Sequence, residues 1–180
     1  MNNSVRFFPY WNPSDIRQVV GLLTMVNAVF EQNPAASRWI EIGSLNGESA
    51  TLFLGFPQIK KLQLVEQSKR HAEALRTRFV WPIAEGRCEV YATYSTSFAS
   101  TVESESVDVV YIDGSHKYED VVKDIESFWP TVDVGGFLCG HDYMRDWPGV
   151  TKAVDEFVSG HALSRPRRFE DGSWLISKEG

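Results

Sequence analysis

The apolar positions of this chain change period repeatedly. From Ile16 they recur at Val19, Val20, Leu22, Leu23, Val26 and Phe30, close to helical spacing, and Asn12-Pro13-Ser14-Asp15 in front of them reads as a helix start. Short runs of strand type follow at Arg38–Ile42, Leu62–Val65, Cys88–Tyr91, Val107–Ile112 and Gly136–Gly140. The run Val107–Ile112 reads as buried on both faces. Helical patterns lie between them: Glu48–Gly55, stopped by Gly55 and Pro57; Ser68–Phe79; a short one at Ser95–Val102; Tyr118–Trp129; and Val150–Val158. In Tyr118–Trp129 the residues Val121, Val122, Ile125, Phe128 and Trp129 share one side. Arg167–Glu170 and Ser173–Ser177 flank Asp171-Gly172, a hairpin signal.

Strands alternating with helices predict βαβ units, right-handed crossovers and helices on both faces of the sheet. The fold class is therefore α/β: a doubly wound, mostly parallel seven-stranded sheet with an antiparallel C-terminal hairpin at one edge. The chain has 180 residues, one ordinary domain. Residues 1–35 form an N-terminal arm and helix, 36–160 the core, and 161–180 the hairpin. No internal repeat or low-complexity linker divides it.

Charge removes some function classes. A formal net charge of −6 argues against a nucleic-acid binder that works through a general basic surface. Arg165, Arg167 and Arg168 lie close together and read as a solvated turn before a strand. No run reaches the length of a membrane span, and Met1-Asn2-Asn3-Ser4 lacks the features of a signal peptide. Cys88 and Cys139 read as buried thiols in a reducing, cytoplasmic compartment. Two cysteines without a paired motif make no zinc site alone.

In a doubly wound sheet ligands bind beyond the carboxyl ends of the strands, so the segments after each strand carry the candidate chemistry. After the first comes "EIGSLNGESA". Gly43 allows a tight turn, and Gly47 admits a ligand or a packed helix to the backbone. Ser49 opens a helix whose free N–H groups can meet an anion. The G-x-x-x-G spacing is neither the dinucleotide fingerprint nor the Walker loop. After the second strand comes Glu66, placed to accept hydrogen bonds from both ribose hydroxyls or to complement a helix dipole. After the third, Thr93, Ser95 and Thr96 are helix-cap types, and Ser95 can also meet a purine edge. After the fourth comes "VVYIDGSHKY", with Asp113 and His116 three residues apart. After the fifth comes "CGHDY", with His141 and Asp142. If strands four and five are neighbours, these four side chains share one rim. They form either a divalent metal site or a hydrogen-bonded polar rim.

The segments "EIGSLNGESA", "VDVVYIDGSHKYEDVVKDIESFWP", "VGGFLCGHDY" and "WPGVTKAVDEF" resemble the motifs of class I S-adenosylmethionine-dependent methyltransferases. The subgroup they resemble includes the macrocin- and mycinamicin-type sugar O-methyltransferases and cephalosporin-hydroxylase-related proteins. The resemblance covers roughly residues 36–160. The I-D-G-S-H-x-Y segment with a downstream G-G-x-x-x-x-H-D-Y is its specific part. It implies a Rossmann-like methyltransferase fold and S-adenosylmethionine as cofactor. Glu41, Gly43, Gly47 and Ser49 would surround the methionine part, and Glu66 would hold the ribose. Asp113 would meet the cofactor's amino group and, in metal-dependent members, Mg²⁺. His116 would be the general base. Asp142 matches a second metal ligand. The chain departs from the pattern at His141, where metal-dependent members carry an acid. An imidazole is a poorer ligand for a hard cation, so Mg²⁺ on Asp113, His141 and Asp142 is an open question.

The expected reaction is O-methylation of a hydroxyl on a small molecule such as a sugar, with neither nucleic acid nor membrane as partner. The alternatives are a metal-dependent hydrolase and a non-catalytic cofactor-binding module. The chain is short for the subgroup, leaving Met1–Pro13 and the loop Tyr143–Pro148 to cover the site. The aromatic stretch Phe7–Trp11 reads as a packing arm, over the core or a second copy of the chain, or as a lid. Tyr118, Tyr143 and Trp147 are candidates to line the acceptor site.

Overall fold

A computed structural model describes residues 16–180. The helix start at Asn12–Asp15 and the aromatic stretch Phe7–Trp11 lie outside the described residues. Among those described, seven strands form one sheet in the order β3-β2-β1-β4-β5-β7-β6. They are β1 (Arg38–Ile42), β2 (Lys61–Val65), β3 (Cys88–Tyr91), β4 (Val107–Ile112), β5 (Val132–Gly140), β6 (Arg167–Arg168) and β7 (Trp174–Ser177). The first five are parallel; β7 runs antiparallel to β5 and to β6. This is the fold class expected from the alternation of patterns.

Helices cover both faces, as right-handed crossovers require. On one side α1 (Ile16–Gln32), α2 (Glu48–Leu54) and α3 (Lys69–Arg78) bury Met25, Val26, Phe53 and Leu75 against Trp39, Leu62, Val109 and Tyr111. On the other, α5 (Ser95–Ala99), α6 (Tyr118–Phe128) and α7 (Pro148–Gly160) bury Phe98, Ile125, Phe128 and Val154 against Ile40, Val110 and Leu138. All six residues of β4 are buried, as its continuous apolar run implies. The one charge in that run, Asp108, accepts from the Ser37 and Arg38 backbone N–H groups and lies 2.7 Å from the Arg38 guanidinium. That paired charge joins the start of β1 to β4.

Three elements depart from the sequence pattern. Helix α4 (Val80–Ala84) follows directly on α3 and contains Pro82, which masked it in the sequence. Strand β5 starts at Val132 and not Gly136, because its register on β4 shifts between Val107 and Val109. A Cβ on Gly136 would lie 2.7 Å from the Asp108 carbonyl oxygen, so the strand passes there only as glycine. The hairpin strands β6 and β7 are shorter than their sequence pattern, with pairing at Arg167–Leu175 and Arg168–Trp174. No helix among the described residues is long and apolar enough to cross a membrane. Cys88 and Cys139 are buried free thiols.

Candidate active site

The strand order reverses between β1 and β4, where Ile42 pairs with Ile112. The loops that leave these strands therefore diverge around a crevice. At its floor Gly43 has φ +86°, and a Cβ there would fall 2.3 Å from the Asp113 carbonyl oxygen. Gly43 is thus required by the close approach of the β1 and β4 loops. Gly47 has φ +80° and caps α2, and its Cβ would meet the Phe79 ring at 2.7 Å. Of the two uses foreseen for Gly47, the packed helix is the one its surroundings show.

The crevice opens into a cavity of about 1190 Å³ walled by Gly43, Ser49, Glu66, Ser95, Asp113 and His116 among others. Its wall also includes His141, Asp142 and Trp147. Two of the sequence candidates stand behind this wall. Gly47 is one, and Glu41, fully buried, is the other. Ser49 Oγ donates to one Glu41 oxygen. The second, Oε2, has no partner among the described residues, nor does the buried Ser44 hydroxyl. Burial pushes the Glu41 carboxyl up to about 8, a shift the Ser49 hydrogen bond opposes.

Glu66 ties two loops together. Its oxygens accept from the Leu45 N–H (3.0 Å) and the Ser68 N–H (2.8 Å). Each oxygen keeps acceptor capacity for a further donor. Ser95 departs from the capping role. The residue capping α5 is Tyr94, with no side-chain cap, and Ser95 Oγ donates to Asp124 Oδ1.

Asp113, His116, His141 and Asp142 do share one rim, because β4 and β5 are neighbours. Asp142 is the centre of the group. Its Oδ2 lies 2.7 Å from His116 Nε2 and its Oδ1 lies 3.1 Å from His141 Nδ1. Its backbone is left-handed, φ +64°, a conformation aspartate tolerates better than most residues. His116 also lies against Trp147, ring centroids 4.0 Å apart, and not against Tyr118.

His141 sits among three carboxylates. Nδ1 faces Asp142 and, at 4.0 Å, Asp113; Nε2 faces Asp171 at 3.8 Å. Burial pulls the ring's pKa down, but the Asp142 contact and the other two carboxylates together lift it to about 9. Burial in turn raises Asp113 to about 6, against the opposing pull of His141.

Asp113, His141 and Asp142 can each bring one ligand atom within 4.8 Å of the others, so the expected metal set is close in space. The donors do not fit Mg²⁺. His141 brings an imidazole where a hard cation prefers oxygen, and the carboxylates around it favour its protonated form, which has no lone pair to give. Asp142 already serves two imidazoles. Here the imidazolium balances the carboxylates, the part a cation would play.

Two expected acceptor-site residues point elsewhere. Tyr118 OH donates to Glu156 and Tyr143 OH to Asp155, both on α7, and neither tyrosine reaches the cavity wall. Among the acids that do reach it without having been expected are Asp171 and Asp124. Asp171 looked like a turn residue; the pairing of β7 on β5 carries the hairpin tip to His141. Asp124 was hidden inside a helix. The signal for it was present, since position 124 falls on the buried stripe of Val121, Ile125 and Phe128.

Fold and site together define an α/β domain with a ligand cavity at the switch point of its sheet. Residues 40–143 match the family described as "Methyltransferase domain", and the chain belongs to that family. It is similar to the uncharacterized protein R132 of Acanthamoeba polyphaga mimivirus, 25% identical over 144 residues, or 73% of this chain and 65% of that one. The match thus spans slightly under two thirds of that relative. Among solved structures, the O-methyltransferase NovP superposes with a TM-score of 0.72 at 15% identity, covering 92% of this chain and 81% of its own. A putative caffeoyl-CoA O-methyltransferase from Staphylococcus aureus gives 0.70 at 14%, covering 89% and 83%.

Proposed function

We propose that this chain is an S-adenosylmethionine-dependent methyltransferase acting on a hydroxyl group of a small molecule, such as a sugar or another natural product. The observation that carries the reading is the single cavity wall at the switch point. It joins a ribose-type acid, Glu66, to an Asp–His–Asp cluster, in a chain of the methyltransferase-domain family. The printed names of NovP and the Staphylococcus aureus protein, both O-methyltransferases, support an oxygen acceptor.

Bound S-adenosylmethionine supplies an electrophilic methyl group on a sulfonium. The chain's own residues do the rest. Glu66 accepts from the ribose hydroxyls. Asp113, ionised above its pKa of about 6, accepts from the amino group. Glu41, behind the wall, acts through Ser49, which lines the cavity. Positioning of donor against acceptor supplies much of the acceleration in such an in-line displacement.

An alcohol becomes an adequate nucleophile as it loses its proton. His116 is the base. The 2.7 Å contact with Asp142 puts the ring proton on Nε2 and leaves Nδ1 to receive the acceptor's proton. Asp142 then stabilises the imidazolium, as the carboxylate of a hydrolytic triad does. No step passes through a metal. The hydrolase alternative has less support, because the chain belongs to the methyltransferase-domain family.

The test is formation of S-adenosylhomocysteine on incubation with S-adenosylmethionine and a panel of sugars, catechols and hydroxylated macrolides. Turnover with an oxygen acceptor is expected. Turnover confined to amine or thiol acceptors would replace the oxygen reading with another.

A further inference from the structure

Trp147 leaves a large aromatic surface uncovered beside the proposed base. It is 40% exposed and stands in the cavity wall. Its ring lies against that of His116, with centroids 4.0 Å apart and planes inclined by 37°. The backbone fixes this placement. The Trp147 N–H donates to the Met144 carbonyl at 3.1 Å, and the Met144 N–H donates to the Asp142 carbonyl at 2.8 Å. The Trp147 carbonyl accepts from Val150 and Thr151 in the first turn of α7. Gly149 is pressed on the base's own segment, since a Cβ there would fall 2.6 Å from the His116 carbonyl oxygen. Indole and imidazole thus hold a fixed relation to each other.

The contacts of the rim form a chain. From Trp147 they pass through His116, Asp142 and His141 to Asp171. Asp171 in turn abuts α1 at Gly21, where a Cβ would lie 2.2 Å from its Oδ1. Val19 and Leu22, on either side of Gly21 in the sequence, add aliphatic groups to the cavity wall. The polar rim is therefore bounded by an indole at one end and by aliphatic side chains at the other. Such a site suits a molecule with an apolar body and hydroxyls on its edge. Tyr94, the other exposed aromatic of the wall, follows β3 at the far edge of the parallel strands and belongs to the opposite end of the crevice.

We infer that Trp147 is the platform of the methyl acceptor and selects for a ring: a six-membered ring with an apolar face lies on the indole and carries an edge hydroxyl to His116. The inference rests on the methyltransferase reading and deepens it. A ring gains dispersion contacts over its whole face and removes exposed indole surface from water, and an open-chain alcohol does less of both. An aromatic ring stacks with an offset, and a pyranose offers its C–H face. The chemistry that Trp147 reads is common to the two. Because the indole is fixed against the imidazole, stacking also sets where the hydroxyl stands, a contribution to rate through positioning.

The experiment is saturation-transfer NMR on the full chain saturated with S-adenosylhomocysteine, so that the cofactor end is filled. The probes are catechol, methyl β-D-glucopyranoside and the open-chain triol glycerol. At least one ring probe is expected to bind about tenfold or more tightly than glycerol, and its dissociation constant is expected to rise about tenfold in Trp147→Ala and to change little in Trp147→Phe. S-adenosylhomocysteine should bind all three proteins equally, which also shows the variants to be folded. Binding of catechol alone marks an aromatic acceptor and of the glucoside alone a carbohydrate, and either supports the inference. Binding of neither ring, equal binding of glycerol, or an unchanged ring affinity in Trp147→Ala overturns it while leaving the methyltransferase reading in place. A wild-type chain that does not bind S-adenosylhomocysteine overturns both. Trp147→Leu, which keeps bulk without a flat face, takes the place of Trp147→Ala if that variant does not fold.

Discussion

Asp142 holds His116 by a 2.7 Å contact between Oδ2 and Nε2, from a left-handed backbone position at the end of β5. The same carboxylate lies 3.1 Å from His141. One residue thus orients the proposed base and anchors the cation beside it. For His116→Ala the expected outcome is unchanged affinity for S-adenosylhomocysteine and a 10²- to 10⁴-fold loss in kcat, the usual contribution of a general base. Asp142→Asn is expected to lower kcat about a hundredfold or more, because an amide does not stabilise the imidazolium. Steady-state rates beside calorimetric affinities check both. A parallel loss of binding and rate would place these residues in ligand binding instead.

His141 gives stability a pH dependence. Its folded pKa, about 9, lies above the ordinary value of 6.5. The folded protein therefore holds this proton more tightly than the unfolded chain. The contribution is fully present below pH 6.5 and is lost as pH rises through 9, with an upper bound of about 3 kcal/mol. Urea denaturation between pH 6 and 10 should show this decline, and His141→Gln should flatten it. A decline of equal size in that variant would assign the effect to other groups.

Glu41 adds a decline in the same direction, through the cost of a buried charge. Its folded pKa of about 8 exceeds the ordinary 4.5, so the unfolded chain releases a proton that the folded chain retains. Stability falls as pH rises from 4.5 to 8. Glu41→Gln keeps an acceptor for Ser49 and removes the titration. It is expected to raise stability at pH 8 by about 1–3 kcal/mol relative to wild type. A variant less stable than wild type at that pH would contradict the burial-driven shift.

Gly43→Ala tests the junction of β1 and β4. The new methyl would lie 2.3 Å from a carbonyl oxygen, on a backbone at φ +86°. A loss of about 3 kcal/mol or more is expected by chemical denaturation, with loss of cofactor affinity as the Asp113 loop is pushed away. A near-neutral effect would mean that the two loops separate freely.

The sequence made much of this site readable, and the limits have physical causes. Strands β1, β3 and β4 fall on the runs expected, since each is a dense local apolar signal. Asp113, His116, His141 and Asp142 meet because neighbouring parallel strands end at one edge, which topology rules anticipate. Asp171 and Asp124 were not legible in this way. The first reaches the rim through antiparallel pairing of distant segments, and the second through the facing of one helix. The role of Gly47 depended on Phe79, 32 positions on in the chain, a contact that no local pattern encodes. The spacing of the metal set was foreseen, while the protonation of His141 depends on Asp171 as well as on its neighbours in sequence.

The most direct measurement is calorimetric titration of the wild-type chain, without added metal, with S-adenosylhomocysteine. The account predicts one site per chain with a micromolar Kd, and loss of that binding in Asp113→Ala. No heat of binding at millimolar ligand, from protein shown to be folded, would contradict it.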